Sequence, residues 1–217
     1  MPPPFDLLPP LGRGLFVTIE VTFGGALVAL AMSFAGGLGR RSAWRVLRWA
    51  AIAYIEVFRG TSALVQLFWA FFVLPFFGLS VSPLVAGIAV LGLNIGAYGS
   101  EVVRGALDVV PRGQWEAATA LNLTRAGTLW RIALPQALPV MVPPFGNLLI
   151  ELLKGTALIS LISLGELTFT AQTLRADTLR TAEIFSLVLA MYFAVALACT
   201  GGMRMLERRL SGWRSAA

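Results

Sequence analysis

The sequence contains no histidine, a single cysteine and few charged residues. Without histidine, the chain cannot form a His-ligated zinc site, a Ser-His-Asp triad or an imidazole proton relay. Cys199 alone cannot form a disulfide within the chain. Only 13% of the 217 residues are charged while 57% are hydrophobic, whereas about 25% of an average soluble domain is charged. The composition therefore excludes an ordinary soluble domain and indicates a polytopic membrane protein.

Runs without charged residues locate the predicted membrane spans. The longest run, 60–100, has 41 residues, about twice the length of one span, and Pro75, Gly78 and Pro83 divide it. Together the runs predict an all-α integral membrane protein in which residues 1–217 form a single transmembrane domain. The five predicted spans are approximately 15–39, 50–74, 84–107, 133–164 and 184–204. A loop over approximately 108–132 joins the third span to the fourth.

The arginine distribution predicts the orientation of these spans. Twelve of the 17 basic residues fall after span one, between spans three and four, or after span five. Because cytoplasmic loops are rich in basic residues, the N-terminus is predicted outside and the C-terminus in the cytoplasm. The net charge of +6 then follows from topology, and no nucleic-acid partner is expected. The N-terminal residues lack a basic stretch followed by an apolar core, so we expect no cleaved signal peptide.

Three acid–base couples lie inside or near the ends of predicted spans. They are Glu56 with Arg59, Glu101 with Arg104, and Glu151 with Lys154. Each has i, i+3 spacing, which puts both members on one helix face. A charge at a span centre costs about 2.5–3.5 kcal/mol on insertion scales, so it should face protein or water. Two interpretations remain open: structural ion pairs between helices, such as Arg59 with Glu101, or a polar path for a charged or zwitterionic solute. Asn94 and Tyr98 share a helix face with Glu101.

The loop between spans three and four is too polar to cross a membrane. Good helix formers follow Pro111 and Gly113, and Trp115, Ala118 and Leu121 fall close to one stripe. This pattern predicts a short amphipathic helix at the cytoplasmic face, which either docks on a partner or lies on membrane lipid. Because a proline disfavours helical backbone in the residue before it, we expect a helix break before Pro135.

Several motifs resemble those of a known family. Glu116-Ala117-Ala118, followed by Ile132, Leu134 and Pro135, resembles the EAA loop of permease subunits of binding-protein-dependent ATP-binding-cassette (ABC) importers. Three other segments are similar to the polar amino-acid branch of this family: 56–61 with Gln66, 96–105, and 153–156 followed by 166–168. The resemblance extends over nearly the whole chain, from about Gly14 to Arg209.

The resemblance implies a type I ABC importer permease fold in a bacterial inner membrane. The expected partners are a second permease subunit, a cytoplasmic ATPase dimer and an extracytoplasmic solute-binding protein. Because no G-x-x-x-x-G-K-[ST] motif occurs, ATP would be bound by the partner ATPase, and we expect no cofactor, metal or catalytic site in this chain. The residues implied for ATPase coupling are Gln114, Glu116, Ala117, Ala118, Asn122, Leu134 and Pro135. The proposed substrate-pathway residues are Glu56, Arg59, Thr61, Gln66, Asn94, Tyr98, Glu101, Glu151, Lys154 and Thr156.

The sequence departs from the family pattern at a few positions. Asn122 replaces the usual glycine of the EAA loop, and asparagine also tolerates left-handed backbone. Ser62 stands where proline commonly follows Arg-Gly-Thr. Gly155 and Ala157 flank Thr156 where aspartate and serine are usual, so a carboxylate beside Lys154 is missing. The run from Lys154 to Ile162 resembles permeases for ectoine-type compatible solutes, which makes such solutes an alternative cargo. Whether the two permease subunits form a homodimer or a heterodimer remains open. Two alternatives from other functional classes also remain open: a passive channel or scaffold subunit, and an intramembrane enzyme.

Overall fold

The computed structural model describes residues 5–211, and no β-strand occurs among them. The α-helices of this described part are α1 Leu8–Arg40, α2 Arg45–Gly60, α3 Ala63–Phe68, α4 Pro83–Asp108, α5 Arg112–Ala120, α6 Arg125–Thr128, α7 Leu134–Gly155, α8 Leu167–Thr178 and α9 Thr181–Ser211. Short 3-10 or π-helical turns occupy Phe5–Leu7, Trp69–Val73, Leu74–Phe77, Leu129–Ala133 and Thr156–Ile162. The all-helical prediction is confirmed.

Four helical stretches in the described residues are long and apolar enough to cross a membrane. They are Leu8–Arg40, Pro83–Asp108, Arg125–Ile162 and Thr181–Leu210. A fifth candidate is the pair Arg45–Gly60 and Ala63–Phe77, which is bent by 106°. The predicted span over 50–74 is therefore broken at Thr61 and Ser62, where the backbone is extended. The count of five spans requires this bent pair to be one of them.

The core is built on α1, which packs along α4 through small residues. A Cβ on Gly92 would lie 2.6 Å from the Val28 Cβ, and a Cβ on Gly96 would lie 2.8 Å from the Met32 Cβ. Both distances are too short for any side chain larger than hydrogen, so the two glycines allow the close approach of α1 and α4. The Gly92-x-x-x-Gly96 pattern of α4 therefore serves close helix packing. Helix α7 packs on α4, and α9 packs on α7.

The helix break predicted before Pro135 is wrong. Residues Arg125–Ile162 form one long helical stretch, and Leu134 keeps helical backbone. A π-helical turn over Leu129–Ala133 precedes the proline and ends with the Leu134 N–H donating to the Leu129 carbonyl. Pro135 then lies in the first turn of α7, where its missing N–H costs little. The local preference of the residue before proline is overridden because the π-helical turn relieves the conflict.

Candidate functional site

The bend between α2 and α3 is held by two side-chain amides. The Gln66 Nε2 donates to the Phe58 carbonyl at 2.9 Å and to the Thr61 Oγ1 at 2.7 Å. The buried Asn94 donates its Nδ2 to the same Phe58 carbonyl at 2.9 Å and to the Gln66 Oε1 at 3.1 Å. A broken helix leaves carbonyls without intrahelical partners, and hydrocarbon cannot satisfy them. Three predicted pathway residues, Thr61, Gln66 and Asn94, are thus brought together at the bend, where they bond to one another and to backbone.

A cluster of charged side chains surrounds Glu101 in the C-terminal part of α4. Glu101 accepts from Arg104 at 2.8 Å, one turn along the same helix, and from Arg40 at the end of α1. The Arg59 Nη1 lies 3.9 Å from the Glu101 Oε1, and its guanidinium lies 5.3 Å from the centre of the Tyr98 ring. The Arg59–Glu101 ion pair between helices, one of the two sequence-based interpretations, is therefore present.

The same cluster extends to the loop that contains α5. Asp108, the last residue of α4, pairs with Arg104 at 3.0 Å and with Arg41. The Arg41 guanidinium also lies 5.7 Å from the centre of the Trp115 ring in α5. Cation–π contacts of this geometry are attractive. The C-terminal ends of α1 and α4 are thus joined to α5 by a continuous set of charge contacts.

Sequence reasoning did not assign Arg40, Arg41 or Asp108 to this cluster. Asp108 is four residues after Arg104, so the i, i+4 spacing could have identified that pair. By contrast, the Arg40–Glu101 pair joins residues 61 positions apart, and no local pattern reveals such a contact. The arginines after span one served only to predict topology, although two of them also pair with acids on α4.

Helix α5 has one exposed face and one face turned toward the bundle. Gln114, Glu116 and Ala117 are exposed, whereas Ala118 is fully buried and Trp115 is partly buried. Three of the four predicted coupling residues in α5 therefore lie on its exposed surface, and the fourth, Ala118, is buried against the rest of the protein. Of the three coupling residues outside α5, Leu134 is buried, and Asn122 and Pro135 are exposed.

The turn after α5 has the geometry expected of its asparagine. Asn122 has a positive φ of 55°, and the Leu123 N–H donates to the Ala118 carbonyl at 3.0 Å. The prediction that asparagine preserves a left-handed turn at the usual glycine position is confirmed. Beside it, Leu121 is 72% exposed. This large apolar side chain at the tip of the loop was not assigned to coupling from the sequence.

One face of α7 carries polar side chains that the described residues leave uncovered. Asn147, Glu151 and Lys154 follow the i, i+4, i+7 repeat and are exposed, whereas Leu152 and Leu153 on the opposite side are 1% exposed. Neither Glu151 nor Lys154 forms an ion pair within residues 5–211. Charged groups on a membrane-spanning helix face protein or water rather than lipid. This face therefore requires a neighbour or an aqueous path.

Two other predicted pathway residues lie in different environments. Glu56 on α2 is exposed and has no ion-pair partner among residues 5–211. Thr156 is fully buried, and its hydroxyl donates to the Leu153 carbonyl at 2.7 Å. Thr156 therefore has no exposed surface in this conformation.

Glu166 is a buried acid that the pathway prediction did not include. Its Oε1 accepts from the Phe169 N–H at 2.7 Å, and its Oε2 accepts from the Thr168 N–H at 2.8 Å and from the Tyr192 hydroxyl at 3.2 Å. Burial raises the pKa of Glu166, and the hydrogen bonds from the two backbone N–H groups oppose that rise. Through Thr18, whose Oγ1 accepts from the Leu167 N–H at 3.1 Å, this cluster joins the start of α8 to α1 and α9.

An all-helical membrane bundle with polar groups along its spans and an exposed helix at one end is the architecture of a transport permease. The chain belongs to the family of inner membrane components of binding-protein-dependent transport systems, whose sequence profile matches residues 25–212. It is therefore a multi-pass inner membrane protein that takes part in transport and is not an enzyme. Members of this family work with an ATPase and a solute-binding protein.

Individual relatives agree with this assignment. A probable amino-acid ABC transporter permease, protein y4tF of Sinorhizobium fredii (strain NBRC 101917 / NGR234), is 49% identical over 96% of this chain and 90% of its own length. The L-cystine transport system permease TcyB of Bacillus subtilis (strain 168) is 35% identical over 95% and 91%. A crystal structure of an amino acid ABC transporter with histidines superimposes with a TM-score of 0.86 at 32% identity, covering 94% of this chain and 96% of that one. The predicted resemblance to ABC importer permeases is confirmed.

Proposed function

We propose that the chain forms one half of the translocation pathway of an ATP-driven importer for amino acids or similar zwitterionic solutes. The polar face of α7 carries this proposal, because Glu151 and Lys154 are exposed on a spanning helix without a partner in the described chain. A second permease subunit, either identical or homologous, would cover this face and leave a polar path between the two halves. The names of the relatives, which include amino-acid and L-cystine permeases, support this class of cargo.

Each charge on this face has a matching group on a zwitterion. Lys154 would bind the solute carboxylate, and Glu151 would bind its ammonium group. Glu56, also exposed on a spanning helix, would extend the acidic side of the path. Gly155, beside Lys154, adds no further carboxylate to the path. The second candidate cargo is therefore a solute whose positive charge is delocalised or shielded, such as an ectoine-like compatible solute.

The remaining predicted pathway residues would shape the path rather than bind the solute. Thr61, Gln66 and Asn94 hold the bend of α2 and α3, while Arg59 near the end of α2 contacts Tyr98 and Glu101 of α4. This division follows from their hydrogen-bond partners, because groups already satisfied by backbone or by opposite charges have little capacity left for a ligand.

We further propose that α5 is the helix that docks on the cytoplasmic ATPase. Its exposed residues Gln114, Glu116 and Ala117, together with Leu121 at the loop tip, form a free surface on a rigidly supported helix. Asn122, Leu134 and Pro135 would fix the course of the chain on either side of it. This arrangement requires the arginine-rich ends of the bundle to face the cytoplasm, with the N-terminus outside.

Replacing Glu116 with lysine tests the docking of α5. The variant places a positive charge on the proposed ATPase-facing surface, so we expect solute-stimulated ATP hydrolysis and uptake to fall together, at least tenfold, equivalent to about 1.4 kcal/mol. The measurement is uptake and hydrolysis by the complex, with its ATPase and binding protein, reconstituted in vesicles. Glu116→Gln, which removes the charge without reversing it, is the matched control and should retain more activity. Normal uptake and hydrolysis by Glu116→Lys would contradict the docking role of α5.

A further inference from the structure

A cleft of about 960 Å³ lies between the inner ends of α1 and α2 and the loop that contains α5 and α6. Its apolar lining includes Phe34, Leu38, Leu47 and Leu129, and its polar lining includes Ser42, Thr119 and Thr128. Arg41 and Arg125 supply the two charges among its lining residues, and none of these residues is acidic. The cleft therefore combines an apolar interior with a net positive charge.

The positive and apolar groups are arranged in the same order on both walls. On the first wall, Arg41 directly follows the end of α1 and comes seven residues after Phe34, or about 10 Å along the helix axis. On the opposite wall, Leu129 follows Arg125 by one helical turn, and the chain continues from there into the spanning helix α7. Each wall thus has its arginine at the end of the bundle and its apolar residues deeper in the membrane.

The two arginines differ in their existing partners. Arg41 pairs with Asp108 and stacks on Trp115. Arg125 is exposed and forms no ion pair within residues 5–211. Trp44, Trp49 and Trp130 are 78%, 65% and 62% exposed near this end of the bundle, as is usual for tryptophan at the level of lipid headgroups. The mouth of the cleft therefore lies at headgroup level, and Arg125 has its charge available there.

We propose that this cleft binds an anionic glycerophospholipid. Its phosphate would contact Arg125 and the outer side of Arg41, and the first part of one acyl chain would lie against Phe34, Leu38 and Leu129. The two walls belong to α1 and to the loop that carries the coupling helix α5, so the lipid would join the spanning bundle to the coupling loop. A site of this kind would make coupling depend on the anionic lipid content of the membrane.

Lipid retention by the purified complex tests the proposal. The complex, with its ATPase, is equilibrated in detergent with phosphatidylglycerol or with phosphatidylcholine, and bound lipid is counted by native mass spectrometry. We expect preferential retention of phosphatidylglycerol and about fivefold weaker binding in Arg125→Gln, the effect of one basic residue at an anionic lipid. Arg131→Gln is the matched control, because Arg131 is an exposed arginine on the same segment that does not line the cleft.

A second pair of variants tests the acyl-chain part of the cleft. Ala35 lines the cleft and is exposed, so Ala35→Trp fills the space without a clash inside the bundle. Ala31→Trp, one turn away on α1 and outside the cleft lining, is its control. We expect only Ala35→Trp to lose phosphatidylglycerol. Three results would overturn the proposal: equal retention by Arg125→Gln and Arg131→Gln, equal binding of phosphatidylcholine, or full competition by glycerol phosphate, which carries the headgroup charge without acyl chains.

Discussion

Glu166 shows how a single acidic side chain can join three helices. Its carboxylate accepts from two backbone N–H groups at the start of α8 and from the Tyr192 hydroxyl of α9. Thr18 of α1 bonds to the neighbouring Leu167 N–H. A carboxylate has acceptor sites only, which suits a position surrounded by donors. We therefore assign Glu166 a structural role at the junction of α1, α8 and α9, separate from the polar face of α7.

Glu166→Gln should destabilise the folded chain. Glutamine offers one acceptor oxygen and turns an amide NH₂ toward one of the two backbone donors, leaving a buried N–H unpaired. Such a group costs about 1–3 kcal/mol, so the melting temperature in detergent should fall by roughly 2–4 °C for each kcal/mol. The control is Glu183→Gln, which removes an exposed ion pair with Arg180 and should change stability by less than about 1 kcal/mol. Equal melting temperatures for the two variants would show that Glu166 does not hold this junction.

At the scale of elements, the bend after α2 depends on only two residues with extended backbone. Thr61 has φ −123° and ψ 154°, and Ser62 has φ −68° and ψ 133°. The Ser62 N–H donates no hydrogen bond within residues 5–211. Proline requires a φ near −65°, no N–H partner and an extended residue before it. Position 62 meets all three requirements.

Ser62→Pro should therefore stabilise the protein by about 0.4–1 kcal/mol, because it restricts the unfolded chain without straining the folded one. The measurement is thermal unfolding of the purified variant in the same detergent as the parent. Ser62→Ala removes the hydroxyl without fixing φ and serves as the matched control, for which we expect no gain. A lower melting temperature for Ser62→Pro would mean that the bend has another geometry in the folded protein.

The sequence predicts the elements better than it predicts their breaks. Charge-free runs locate the spans because hydrocarbon excludes charges along a whole helix, a constraint that local sequence carries. The break at Ser62 depends instead on an amide from Asn94, which is 36 residues from the Phe58 carbonyl that it satisfies. Pro135 led to the opposite error, since the break predicted before it is absent. A π-helical turn accommodates the proline within the helical stretch. The charges of the candidate site could be identified from the sequence, but the contact of Glu101 with Arg40 depends on how α1 packs on α4.

At the scale of the whole molecule, the charges of the spans fall into two groups. Glu101 is surrounded by Arg40, Arg59 and Arg104, and these contacts join α4 to α1 and α2. Glu151 and Lys154 have no such partners within the described chain and lie on an exposed face of α7. The described chain thus provides partners for Glu101 but none for Glu151 and Lys154. This asymmetry is expected of a half-channel whose other wall is supplied by a second subunit.

Lys154→Met tests whether this open face forms the path. If Lys154 binds the solute carboxylate, its loss removes a charge-assisted hydrogen bond worth about 1.5–3 kcal/mol, so the apparent affinity for the solute during uptake should fall roughly tenfold or more. Uptake is measured in vesicles with the assembled complex, and gel filtration checks that the second subunit still binds. Lys154→Arg keeps the charge and should retain part of the activity. Unchanged rate and solute preference in an assembled Lys154→Met complex would remove Lys154 from the path, whereas loss of assembly would make the α7 face an interface between subunits.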